Sequence, residues 1–229
     1  MILNGQLAAG APPGHSNVQR RSGDFVKSFL RTYARFMAGM ALSLLTLFCA
    51  ERVFAEKNPS PWSVFAYGGP WTKTNLGEIV QAKTDFKNSF VWAVGGSRTL
   101  YNLNEFFLLE AEVNTARHTG RQDHFELNAA VNLRLHRFPW DRYVNTSLAY
   151  GLGPSYAFTR PPIEQRRASD PVPSHLLVFM PVEVTFAPPD KYQLPWEVLV
   201  RVHHRSGAFG AVSNAKGSNF IVTGLRYRF

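Results

Sequence analysis

The feature that most constrains this chain is a hydropathy period of two that recurs along most of its length after residue 60. The clearest run is Phe125 to Leu135. Phe125, Leu127, Ala129, Val131, Leu133 and Leu135 fall on one side of it. Glu126, Asn128, Ala130, Asn132, Arg134 and His136 fall on the other. Successive side chains of an extended strand point to opposite faces, so this run reads as a strand with one apolar and one polar face. Its length suits a membrane-crossing strand, which takes about nine to eleven residues, apolar outward and polar inward.

The pattern repeats. Trp62 to Thr72 is strand-like, and Phe90, Trp92 and Val94 alternate through the next segment. Phe107, Leu109, Ala111 and Val113 oppose Glu110 and Glu112. Val144, Thr146, Leu148 and Tyr150 oppose Asn145 and Ser147. Leu176, Val178, Met180, Val182, Val184 and Phe186 oppose Glu183 and Thr185. Trp196, Val198, Val200 and Val202 oppose Glu197, Arg201 and His203. Ile221, Thr223, Leu225, Tyr227 and Phe229 oppose Arg226 and Arg228. Connectors between these eight segments alternate in length. Thr99–Asn104, Arg137–Arg142 and Pro188–Leu194 are short. Gly68–Asn88, Tyr156–Ser174 and Ser206–Gly217 are longer, and His118–Gln122 is short where a long loop is expected. The expected fold class is all-β: an eight-stranded antiparallel transmembrane β-barrel of the bacterial outer membrane, with both ends of the chain on one side. The inward Glu110, Glu112, Glu126, Arg134, Glu183, Glu197, Arg201, Arg226 and Arg228 can pair in the lumen. Eight strands leave no room for an aqueous pore. The Trp residues Trp62, Trp71, Trp92, Trp140 and Trp196 fit interfacial girdles. A soluble lipocalin-like binder would need an apolar lumen, which the inward Glu and Arg residues argue against.

Residues 1–55 read differently. Arg20, Arg21, Lys27, Arg31 and Arg35 precede the apolar run 37–50, and Val53-Phe54-Ala55 follows with small residues where signal peptidase reads. This is the order of a secretory signal. Residues 1–55 are thus expected to be an N-terminal extension and a removed signal peptide, and residues 56–229 the barrel. Cys49 is the sole cysteine. Phe48 before it departs from a lipoprotein signal, and no disulfide or thiolate site is expected after cleavage. Aromatic residues at 14% and charged residues at only 18% exclude a disordered chain. The formal charge of +9 is spread without a basic block. It suits anionic lipid headgroups rather than nucleic acid.

One segment carries candidate chemistry. In Val198-Leu-Val-Arg-Val-His-His-Arg-Ser-Gly207, the outward parity of Val198, Val200 and Val202 extends to His204 and Ser206. Two same-face neighbours on a strand are close enough to interact, and an imidazole can take the proton of a hydroxyl nucleophile. His203 faces inward. As adjacent strand residues, His203 and His204 cannot chelate one metal together. His118, His124, His136 and His175 show no ligand spacing.

This pair and topology resemble the outer-membrane lipid A 3-O-deacylase family of eight-stranded barrels, which carry a lipid-facing His-x-Ser pair on the seventh strand. The ending Leu225-Arg-Tyr-Arg-Phe229 resembles the C-terminal signal of outer-membrane proteins. The resemblance implies an ester hydrolase acting on the 3-position acyl chain of lipid A. Ser206 would be the nucleophile and His204 the base, with no metal and no cofactor. Partners would be lipid A or lipopolysaccharide, outer-membrane lipid and the outer-membrane assembly machinery, with a homodimer left open. Two departures stand out. Gly207 follows the serine where the family has Asn, leaving a backbone N–H as oxyanion donor. The family's acid at the start of the last strand is missing, and no acid lies between Ser206 and Phe229. By parity Asn219 shares the face of His204 and is the candidate to orient it. Arg205, with Arg160, Arg166 and Arg167 of the long loop, is expected to contact lipid A phosphates. The competing reading is a non-catalytic barrel with a structural or ligand-binding role.

Overall fold

The structure is a computed structural model that describes residues 61–79, 81, 84–165, 174–208 and 211–229. The signal-peptide assignment to residues 1–55 lies outside the described residues. Among the described residues the strands are β1 (Trp62–Thr72), β2 (Phe86–Asn102), β3 (Phe107–Gly120), β4 (His124–Leu135), β5 (Asn145–Ala157), β6 (Leu176–Phe179), β7 (Val182–Ala187), β8 (Trp196–Ser206) and β9 (Ser218–Arg228). Every pairing is antiparallel between neighbours, and β9 returns to β1, so the sheet closes. Closure leaves no unpaired edge. Phe229 donates its backbone N–H to the Trp62 carbonyl, which brings the last residue beside the first strand.

These nine segments occupy eight strand positions. The sixth expected segment is split into β6 and β7 by Met180-Pro181. Its register does not slip: Val178 faces Ser206 and Val182 faces Val202. Proline has no N–H to give the ladder, so the pairing lapses for two residues and resumes in phase. The Met180 N–H still donates to the His204 carbonyl at 2.8 Å, and the Pro181 carbonyl accepts from Gly151.

The alternation dictates which face each residue takes. On β4, His124, Glu126, Asn128, Ala130, Asn132 and Arg134 are buried, while Phe125, Leu127, Val131 and Leu133 are exposed. Val94, Val113, Leu148, Leu152, Val198 and Val200 are also exposed on the outside. An apolar belt of this extent is foreign to a water-soluble monomer. Inside, the expected ion pairs form. Arg134 donates to Glu110 at 2.8 Å and Glu183 at 2.7 Å. Arg201 reaches Glu112 at 2.6 Å and Glu183 at 2.6 Å, and Arg226 reaches Glu183 at 2.7 Å. Arg228 pairs with Glu197. Buried charges are tolerable only when paired and hydrogen-bonded in this way.

The lumen is not wholly polar. Phe65, Tyr67, Val91, Leu199, Phe220 and Val222 form an apolar cluster, and the Arg201 guanidinium lies 5.0 Å from the ring centroids of Phe65 and Tyr67. Trp71 belongs to this cluster, so it is a core residue and not part of a girdle. It shares the inward parity of Ser63, Phe65 and Tyr67 on β1, and its register with β9 is unbroken from Ser63 to Thr72. Trp62 and Trp140 do lie exposed at the short-turn end.

Candidate active site

The outer face of β8 carries Val198, Val200, Val202, His204 and Ser206, and the inner face buries Leu199, Arg201, His203 and Arg205. His204 stands in register with Asn219 of β9. Directly opposed residues on one face are the closest side-chain neighbours a sheet offers. His204 Nδ1 lies 2.5 Å from Asn219 Oδ1 and 3.3 Å from the Ser218 carbonyl. Both partners are acceptors, so Nδ1 carries the proton and donates it. The Nε2 lone pair is therefore the free basic atom of the ring.

The orientation of Asn219 is itself enforced. Its Nδ2 donates to the Thr74 carbonyl at 2.9 Å, which leaves Oδ1 for the imidazole. Thr74 is buried in the β1–β2 connector. Its hydroxyl accepts from Thr72 Oγ1 and from the Asp85 N–H, both at 2.9 Å. The chain Thr74–Asn219–His204 thus sets one tautomer on the outside of the barrel. Thr74 carries no motif signal in the sequence. Its role appears only when the connector folds back over the end of β9.

Ser206 is placed on the same outer face, at the end of β8. Its hydroxyl is not hydrogen-bonded to His204 among the described residues, in contrast to the close pairing expected for same-face neighbours. Residues two apart on a strand are roughly 6.8 Å apart at Cα, so contact needs both side chains to lean together. Here Ser206 Oγ instead accepts the Ala208 N–H at 3.1 Å, in the turn where Ala208 takes φ 52°. Gly207 is buried, and its carbonyl accepts from Val212 at 3.1 Å and Ser213 at 3.2 Å. A Cβ at Gly207 would come within 1.9 Å of the Ser213 carbonyl oxygen, so this loop admits no side chain there. That accounts for glycine after the serine.

Arg205 corrects an expectation. It points into the lumen and is fully buried, donating to Ser155 Oγ at 2.7 Å, to both Glu164 oxygens at 2.9 Å and to the His175 carbonyl at 3.0 Å. A guanidinium so engaged has nothing left for a headgroup, and strand parity is the reason. Arg160 is exposed on the β5–β6 loop. Arg166 and Arg167 lie outside the described residues.

Glu164 was not singled out by the sequence. It sits on a short 3-10 turn, Pro162–Glu164, and is fully buried. Its carboxylate accepts from Ser218 Oγ at 2.9 Å, and its carbonyl accepts the Lys216 N–H at 2.7 Å. It therefore ties the β5–β6 loop to the β8–β9 loop. Burial, reinforced by the Glu126 charge, pushes the Glu164 carboxyl up to about 7 against the opposing pull of Arg205. No sequence signal marks a lone acid in a Pro-rich loop as a buried clasp.

Sequence spacing does not reveal the inner histidines. Pairing sets His118 of β3 against His124 of β4, with their rings stacked at 4.4 Å. His203 of β8 approaches from across the lumen and meets the same carboxylate, Glu126, as His118.

The class that this fold defines is the closed eight-stranded antiparallel barrel. Solved structures similar to it include the outer membrane enzyme PagL, with 12% identity, a TM-score of 0.49, and coverage of 72% of this chain and 98% of that one. Neisserial surface protein A matches at 12% identity and TM-score 0.44, over 76% of this chain and 100% of that one. The N-terminal barrel domain of Pseudomonas aeruginosa OprF matches at 9% identity and TM-score 0.40, over 75% and 100%. No family model matches the chain, and no curated relative does.

Proposed function

We propose that the chain is a bacterial outer-membrane esterase that removes an acyl chain from lipid A, with Ser206 as nucleophile and His204 as base. The observation that carries this reading is the Thr74–Asn219–His204 chain. A hydrogen-bonded, tautomer-fixed imidazole is held on the outer face of a barrel whose other outward side chains are mostly apolar. Such a group does nothing for packing there, and it sits one outward position from a serine. The reaction class follows from the parts. Rotation of Ser206 about χ1 breaks its contact with Ala208 and turns the hydroxyl toward Nε2. Oγ attacks the ester carbonyl as its proton passes to His204 Nε2. The oxyanion takes the Gly207 N–H, the sugar alkoxide leaves with the proton from His204, and water then hydrolyses the acyl-serine by the same base. Asn219 keeps Nε2 aimed but adds no full charge to stabilise the imidazolium. Of the four arginines expected at the headgroups, Arg160 is the one that is described and exposed, and it is available to the phosphates of the substrate. The 3-O-linked chain is the expected leaving acid, from the likeness of the His-x-Ser pair to the 3-O-deacylases.

The Ser206–Ala208 contact favours a second reading, a barrel in which the serine only closes a turn. An alkyl phosphonate ester probe separates the two. Under the esterase reading, peptide mapping finds the phosphonyl group on Ser206 in the folded protein and none in His204→Ala. A folded protein that stays unlabelled supports the non-catalytic barrel.

A further inference from the structure

The lumen holds a second constellation that the esterase chemistry does not use. His118 Nε2 lies 3.0 Å from Glu126 Oε2, and His203 Nε2 lies 2.9 Å from Glu126 Oε1. The three ligand-capable atoms are all within 4.8 Å of one another, and all three residues are buried. Each histidine has a partner on its other nitrogen: Tyr67 Oη is 2.9 Å from His203 Nδ1, and the Gln122 amide is 2.8 Å from His118 Nδ1. An outer partner on the distal nitrogen is how metal-bound histidines are oriented. The fourth feature is His124. It is buried, stacked on His118 and 3.9 Å from Glu126 Oε2, and its Nε2 has no hydrogen-bond partner among the described residues. Gln122 Oε1 is likewise buried without a partner. Turning that amide gives Nδ1 of His118 an acceptor and leaves Nε2 bare.

We propose that His118, Glu126 and His203 form a three-residue site for a divalent transition-metal ion of the zinc class inside the barrel, with the fourth position open, since His124 is stacked parallel to His118 and its ring plane does not reach the same ion. Imidazole nitrogens and one carboxylate suit zinc, cobalt, nickel or copper rather than calcium or magnesium. Donors about 2.0–2.1 Å from such an ion stand roughly 3.3 Å apart in a tetrahedron. The two Glu126 contacts are near that spacing already. Arg205 opposes a cation, since its Nε is 3.3 Å from Glu126 Oε2. Its hydrogen bonds, however, go to Ser155, Glu164 and His175 rather than to Glu126. The ion would link the β3–β4 hairpin to β8 across the lumen, directly behind His204.

The test uses the full-length chain without an affinity tag, folded in detergent. Metal content is read by plasma mass spectrometry after zinc loading, and Co2+ is added during refolding. The expected result is about one ion per chain and the intense visible d–d bands of four-coordinate cobalt. Both are lost in Glu126→Gln and His118→Gln variants that retain the heat-modifiable gel mobility of a folded barrel. Zinc also raises the urea midpoint of the parent and not of these variants. Folded parent without stoichiometric metal or cobalt bands would overturn the proposal and leave an internal hydrogen-bonded cluster with water. Bands that persist in both variants would overturn it equally, since they place the ion elsewhere. Should the two variants misfold, His203→Gln decides: loss of the cobalt bands in a folded His203→Gln supports the site, and bands that persist overturn it.

Discussion

Each face of β8 carries a histidine, and the two faces put their histidines to different ends. Inside, Arg201, His203 and Arg205 are buried and engaged with Glu112, Glu183, Glu126, Tyr67 and Glu164. The two arginines are consumed in holding opposite walls of the barrel together, while His203 belongs to the cluster proposed as a metal site. Outside, His204 has one nitrogen fixed by Asn219 and the other left open, among valines that need no polar neighbour. The difference teaches where to look for function in a small barrel. Polar groups that saturate one another are architecture. A polar group oriented at some cost, on a face that packing would fill with Leu or Val, is there for chemistry.

This contrast can be broken from either side. The largest effect on folding should come from Arg201→Ala. It leaves the buried Glu112 carboxylate with only the Asn114 and Asn132 amides and takes one of three guanidinium partners from Glu183, and losing one partner of a buried pair costs about 3–5 kcal/mol. Urea titration of heat-modifiable mobility should show the barrel failing to assemble or unfolding far earlier. An unaffected midpoint would mean the inner network carries little stability.

Next comes Glu164, measured with a chelator present so that no bound ion contributes. Its folded-state carboxyl lies near 7, above its usual 4.5, so the folded protein binds this proton more tightly than the unfolded chain. That contribution is complete below about pH 4.5 and is lost as pH rises through about 7. Across that window the parent should lose stability, on the order of 3 kcal/mol from this group alone. Glu164→Gln, which mimics the protonated form, should flatten the dependence. A parent whose stability rises across the window would contradict it.

Asn219→Ala probes the outer face with a smaller effect. Freed of its acceptor, the His204 ring can adopt other orientations. Deacylation should fall about 10- to 100-fold, on the scale of a lost orienting contact, with the urea midpoint unchanged. Equal losses of rate and stability would move Asn219 from the site to the scaffold. The smallest effect is expected at the exposed Arg137–Glu105 pair, 2.5 Å apart but more than half exposed at both ends. Removing either partner should leave the midpoint unmoved, because solvated pairs contribute little.

Much of the fold was legible because parity is a local property. The inward Glu126 and Arg134 and the outward Phe125 and Val131 follow from the alternation alone, and so does the outward placement of His204, Ser206 and Asn219. What remained hidden depends on register and on loop return. No spacing rule brings His118, His124 and His203 together, because the first two meet by pairing across a three-residue turn and the third arrives from the far wall. Thr74 and Glu164 come from connectors whose paths the alternation does not specify. Arg205 sits next to a long loop, which suggests a headgroup contact, but it shares the inward strand parity of Arg201 and His203 and lies in the lumen. The break at Pro181 was invisible for the opposite reason, since the register resumes in phase on both sides of it.

The most direct test of the central claim compares lipid A by mass spectrometry in cells whose outer membranes carry the folded parent, Ser206→Ala or His204→Ala. The expected result is loss of one hydroxyacyl chain with the parent alone. Identical lipid A in all three, with each barrel shown to be folded, would contradict the claim that the outer face of β8 is a deacylase site.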